Sequence, residues 1–282
     1  LRYEVDLSAP LKAAQEFFAE NEIKIEKPPA KPAKPAAIKP APSDGISAES
    51  YLAGDIQTGK IVLEKNVDKI LPFASMSKLI TALIATNIYD DTATITITPE
   101  EMNVPADASG LRAGESFTVK ELLYPLLLNS SNVAGEALAS STNRVYFLKL
   151  MSDYSWEVGM PESNLADPTG LSVTNSGTAR GFFGLARYLY RMRPDILAVT
   201  RTASSTVATT TDHGSHIFSN IHPFVHDPRF LGGKTGYTPE ALDTMLTVLK
   251  IDDKPAAFIV LRSKNRARDT RLLIERFTRT SS

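Results

Sequence analysis

The chain has 282 residues, a formal net charge of −1 and no cysteine. That length allows one large domain or two small ones. The balanced charge provides no overall basic field for nucleic acid, and the missing cysteine excludes disulfides, cysteine metal ligands and a cysteine nucleophile. No stretch is long and apolar enough to span a membrane. Residue 1 is Leu and no export signal is visible, so the expectation is a mature or trimmed chain whose signal or membrane tether has been lost.

In chain order, residues 1–26 are an N-terminal segment, with Leu11, Ala14, Phe17 and Phe18 on one side of a short helix over 11–22. Residues 27–42 carry six prolines and four lysines. Such a run favours extended polyproline II and reads as a semi-rigid linker. A membrane-proximal stalk beside anionic wall polymer or lipid is the bolder reading. The main domain is expected over 43–282. Strands over 47–55 and 61–64 flank a turn at Gln57-Thr58-Gly59-Lys60. A helix follows Pro72 over 75–89, burying Met76, Leu79, Ile80, Leu83 and Ile84. A short strand covers 94–98, and helices cover 119–128, 131–140, 146–158 and 178–191. Strands at 230–237, 244–251 and 256–262 and a helix at 268–278 close the chain. Strands at both ends with helices between them predict an α+β domain: one sheet built from the two ends, with a helical subdomain over about 99–200 inserted.

Three motifs stand in order: Ser75-Met76-Ser77-Lys78, Ser130-Ser131-Asn132 and Lys234-Thr235-Gly236. A serine hydroxyl is a poor nucleophile until a base removes its proton. Ser75 and Lys78, three apart, share one helix face about one turn apart. Lys78 acts as a base only if its pKa is depressed by burial and by nearby positive charge, which Lys234 is placed in sequence to supply. Ser130, in a loop between helices, can relay a proton to a leaving amine. Asn132 has both a donor and an acceptor, for a substrate amide or for Lys78. Lys234 and Thr235 can hold a carboxylate. Gly236 leaves room for a peptide along the strand, and the amides of Tyr237 and Ser75 can form an oxyanion hole. Taken singly, each motif also has an ordinary reading: a helix cap at Ser75, a cap at Ser130 or Ser131, and a glycine-rich hairpin turn.

Together the motifs form a set used by serine acyl-transfer enzymes. On these residues the chain resembles the serine D-Ala-D-Ala carboxypeptidases, the low-molecular-mass penicillin-binding proteins. The resemblance extends over about 47–277, through 55–60, 72–81, Gly110-Leu111-Arg112-Ala113-Gly114-Glu115, Asp167-Pro168-Thr169-Gly170-Leu171-Ser172 and 234–238. It implies a penicillin-binding-protein/β-lactamase-like fold, an antiparallel sheet flanked by helices, with no metal or other cofactor. It also implies trimming of peptidoglycan stem peptides outside the cytoplasm through an acyl-enzyme on Ser75, with β-lactams as covalent inhibitors. The chain departs from the family pattern in three places. Ser131 and Val133 stand where Gly and Asp are usual, Leu242 stands where Gly is usual after Ala241, and the chain ends after one terminal helix.

Other readings stay open. The same residues suit a D,D-endopeptidase on cross-links. A β-lactamase needs a deacylating glutamate, for which Glu162 is the candidate. A catalytically inactive wall-binding protein is a further alternative. His213, His216, His222 and His226 cluster in sequence, but without a carboxylate motif they read as loop histidines. Arg262 and Arg266 follow the last strand and offer either carboxylate binding or plain surface charge.

Overall fold

The computed structural model describes residues 45–281. The expected N-terminal helix and the Pro/Lys-rich linker lie outside the described residues. Five strands form one antiparallel sheet: β1 (Ser50–Asp55), β2 (Ile61–Lys65), β3 (Phe230–Thr238), β4 (Leu242–Ile251) and β5 (Lys254–Ser263), in the order β2-β1-β5-β4-β3. The first hairpin and the last three strands therefore meet as expected, with Tyr51 opposite Val260 and Leu246 opposite Lys234.

Among the described residues seven α-helices flank the sheet: α1 (Lys78–Ile88), α2 (Val119–Leu127), α3 (Asn132–Ser140), α4 (Arg144–Glu157), α5 (Ala179–Met192), α6 (Pro194–Arg201) and α7 (Arg266–Ser281). Alternation along each strand divides the core in two, because successive side chains point to opposite faces. Tyr51, Ala53, Met245, Phe258 and Val260 pack with Leu273, Ile274 and Phe277 of α7. Leu52, Leu246, Val248, Ala257, Ile259 and Leu261 join the larger core shared with α1 to α6.

The observed elements differ from the expected ones in identifiable ways. The helix expected from 75 begins as a 3-10 turn over Ala74–Ser77 and becomes α-helical only at Lys78. Helix α6 and the ribbon of Ser204–Val207 with His216–Ser219 were not expected. Short pairs also join Leu71–Pro72 to Ser176–Gly177 and Thr94–Thr96 to Ser116–Thr118. Pro194 at the start of α6 was an available signal, since proline suits the first helical turn.

Candidate active site

The nucleophile turn is built by close backbone approach. Ala74 has φ 50°, and Gly170 passes so near that a Cβ there would lie 2.0 Å from the Ala74 carbonyl oxygen. Gly170 also has φ +86°, a conformation glycine adopts without steric cost. The turn leaves Ser75 half-buried while Lys78 is fully buried. In a 3-10 turn residues three apart eclipse, and Lys78 Nζ donates to Ser75 Oγ at 2.9 Å.

Lys78 donates to two further acceptors, Asn132 Oδ1 at 2.7 Å and the Thr169 carbonyl at 2.6 Å. Burial pushes its pKa down to about 7, against the opposing pull of Asp167, Asp107 and Glu136. Burial was one of the two expected causes; the other, positive charge from Lys234, is not among the causes acting on Lys78. The repulsion between the two ammoniums falls on Lys234, held well below its ordinary pKa first by burial, then by Lys78 and Arg266.

Two loops carry those acceptors. Asp167 Oδ1 accepts from the amides of Thr169 and Gly170 at 2.7 and 2.6 Å, and Oδ2 from the Ser172 amide at 2.6 Å. This fixes the carbonyl that faces Lys78. In the second loop Ser130 has φ 66°, and Ser131 caps α3 by accepting from the Ala134 amide at 3.0 Å. The cap reading therefore holds for Ser131, and Ser130 is left to accept from Lys234 Nζ at 2.9 Å.

Strand β3 closes the other side. Lys234 and Thr235 are buried, and the Tyr237 side chain is 61% exposed. A Cβ at Gly236 would lie 2.6 Å from Thr244 Oγ1, 2.8 Å from the Phe73 carbonyl and 2.9 Å from the Ser75 amide nitrogen. Only glycine lets the strand come this close to the nucleophile. Arg266 Nη1 braces this point, donating to the Gly236 carbonyl at 2.9 Å and to Asp243 Oδ1 at 3.0 Å. Arg262 pairs with Glu49 at 3.3 Å.

The structure thus builds two hydrogen-bonded groups, Ser75–Lys78–Asn132 and Ser130–Lys234, with Thr235, Gly236 and Tyr237 following Lys234 on β3. Glu162 is exposed and has no hydrogen bond to Ser75, Lys78 or Ser130. The four histidines do not form one group: His213 and His216 are neighbours, with ring centroids 6.2 Å apart, and among the described residues no set of three or more His, Asp or Glu is placed to hold a metal. His216 Nε2 lies 2.9 Å from Glu115, and His213 stacks on Phe117. His222 lies buried beside Gly233 with its pKa lowered by burial to about 3, and His226 is exposed. Sequence reasoning gave no role to Thr169, Asp167, Asp107 or the Arg266–Gly236 contact. The Asp-Pro-Thr-Gly run was a visible signal for the first two, whereas the other contacts join residues distant in sequence.

The fold is that of the penicillin-binding D,D-peptidases. The Streptomyces K15 DD-transpeptidase superposes with a TM-score of 0.75 at 22% identity, covering 85% of this chain and 98% of that one. A family model described as D-alanyl-D-alanine carboxypeptidase matches residues 36–265. The chain is similar to a D-alanyl-D-alanine endopeptidase of Escherichia coli, 30% identical over 240 residues, covering 81% of this chain and 76% of the relative. It is also similar to a D-alanyl-D-alanine carboxypeptidase of Mycobacterium tuberculosis, 25% identical over 215 residues, covering 76% of this chain and 73% of the relative. The chain belongs to the D-alanyl-D-alanine carboxypeptidase family of serine peptidases.

Proposed function

We propose that this protein is a serine D-Ala-D-Ala carboxypeptidase that trims peptidoglycan stem peptides outside the cytoplasm and is acylated by β-lactams. The observation that carries the reading is the 2.9 Å contact between Ser75 Oγ and a fully buried Lys78 whose pKa is near 7. A lysine poised near neutrality is free amine in part, so it can accept a proton at working pH.

In this mechanism Ser75 Oγ attacks the carbonyl between two D-alanines and passes its proton to Lys78 Nζ. The amides of Ser75 and Tyr237 stabilise the oxyanion. Ser130 relays a proton to the departing amine, the C–N bond breaks and the last D-alanine leaves. Water then hydrolyses the ester on Ser75. Lys234 and Thr235 hold the terminal carboxylate, whose charge favours the protonated form of Lys234 and offsets its burial. Asn132 orients both Lys78 and the substrate amide. Residues 27–42 serve as a spacer ahead of this domain. Among the described residues no helix is long and apolar enough to cross a membrane.

The test is release of one D-alanine from a stem pentapeptide by wild type but not by Ser75→Ala. No release by wild type contradicts the carboxypeptidase reading. The second reading, a D,D-endopeptidase, is favoured by the name of the Escherichia coli relative. It predicts cleavage of a cross-linked dimer in preference to the pentapeptide.

A further inference from the structure

Of the motif residues, Asp107 touches Ser131 through its hydroxyl and Asn132 through its backbone amide. Its Oδ1 accepts from Ser131 Oγ at 2.8 Å, from the Asn132 amide at 2.5 Å and from the Val133 amide at 3.1 Å. Its Oδ2 accepts from the Ser109 amide at 3.0 Å. The same loop grips the Asn132 side chain, whose Nδ2 donates to the carbonyls of Pro105 at 3.0 Å and Ala106 at 3.3 Å. Ala106 is held at φ 56° in the act, the left-handed region that an alanine enters only at a cost. With Nδ2 fixed from this side, Asn132 Oδ1 is left facing Lys78 Nζ at 2.7 Å.

The contact also accounts for the two departures in the second motif. Ser131, where glycine is usual, supplies a hydroxyl that reaches Asp107. Val133, where an acid is usual, is buried apolar surface. The carboxylate at the start of α3 comes instead from a loop 25 residues upstream of Asn132.

We propose that Asp107 is a positioning residue for the general base: it anchors the start of α3 so that Asn132 aims Lys78 at Ser75, and its negative charge sets the pH range over which Lys78 works. This rests on the acyl-enzyme reading above.

The charge part follows from what faces Lys78. Asp167 and Asp107 from loops and Glu136 from α3 favour its protonated form, while Lys234 on β3 is the facing cation. Glu136 is already bound bidentately by Arg144, at 2.7 and 3.0 Å. Asp107 and Asp167 have no ion-pair partner among the described residues. Burial pushes the Asp107 carboxyl up, but its hydrogen bonds from Ser109, Ser131 and Val133 prevail and hold it below its ordinary value. It is therefore ionised throughout the range in which Lys78 titrates.

The experiment is the second-order rate of acylation by benzylpenicillin, measured from pH 5 to 9 for wild type, Asp107→Asn and Asp107→Ala. Asparagine keeps an acceptor for the α3 amides and removes the charge. Without that charge Lys78 gives up its proton more readily, so the acidic limb of Asp107→Asn moves to lower pH by about half a unit, while its plateau stays within severalfold of wild type. Asp107→Ala also releases Asn132, and its plateau falls about ten- to hundredfold. A uniform loss of rate with an unmoved limb would mean that Asp107 serves stability alone and would overturn the proposal. So would wild-type plateaus and limbs in both variants. If the alanine variant does not fold, the limb of Asp107→Asn decides. Failure of wild type itself to acylate is a different result, since it removes the reading on which this inference rests.

Discussion

Lys234 Nζ donates to Ser130 Oγ at 2.9 Å, joining the edge strand of the sheet to the loop that opens α3. Lys78 and Lys234 are both buried lysines, and each reaches a serine hydroxyl, Ser75 for one and Ser130 for the other. In the proposed mechanism the two serines divide the proton traffic. Ser130→Ala is expected to slow acylation by about 10²- to 10⁴-fold, the usual span for losing a general acid–base group. Stopped-flow acylation with a chromogenic β-lactam checks this. A rate within twofold of wild type removes Ser130 from the relay.

The pKa of Lys78 gives a pH dependence. Burial lowers it to about 7, and the reactive species is the free amine. Acylation therefore rises with pH through about 7 and reaches a plateau above it, losing about tenfold for each unit below that point. The acidic limb of the acylation rate, not of overall turnover, is the quantity to measure. A rate independent of pH between 5 and 8 contradicts Lys78 as the base.

Much of this arrangement was legible in the sequence. Strong periodicity gave α5 within one residue at each end, Ala179–Met192 against an expected 178–191. The two terminal groups of strands pointed to a single sheet, and the register shows them side by side. What stayed hidden depends on partners distant in the chain. Pairs as short as Leu71–Pro72 with Ser176–Gly177 have no period to detect. Nothing local to Asp107 announces that it meets the Asn132 amide 25 residues later. Burial of Lys78 was needed for its chemistry, but the neighbours that hold it, the Thr169 carbonyl above all, came only with the structure. Burial was expected as one source of its depressed pKa, but the added positive charge expected from Lys234 is not among the causes, because a sequence shows that two charges exist without showing how far apart they are held.

Gly236 sets how close β3 comes to the nucleophile. An added Cβ would meet the backbone at Phe73 and Ser75, at 2.8 and 2.9 Å, where no flexible side chain can move aside. Gly236→Ala is expected to cost about 1–3 kcal/mol of stability and to suppress acylation further by pushing the strand from Ser75. Thermal denaturation together with penicillin labelling measures both. Full labelling at the wild-type rate contradicts the tight fit.

Leu242 tests a separate point. It has φ 53° at the start of β4, in a region where a bulky side chain is a genuine outlier. It stands where the family pattern has glycine. Leu242→Gly is expected to relieve about 1 kcal/mol of backbone strain and to raise the melting temperature by about 2–4 °C for a chain of this size. A lowered melting temperature means that contacts of the Leu242 side chain outweigh the strain.

The central claim is that Ser75 becomes acylated with Lys78 as its base. Its most direct test is the intact-protein mass after incubation with benzylpenicillin, for wild type, Ser75→Ala and Lys78→Ala side by side. The predicted result is a lasting adduct of one penicilloyl group on wild type, none on Ser75→Ala, and formation slowed by orders of magnitude in Lys78→Ala. An adduct that persists in Ser75→Ala, or wild type that stays unmodified, would contradict the account.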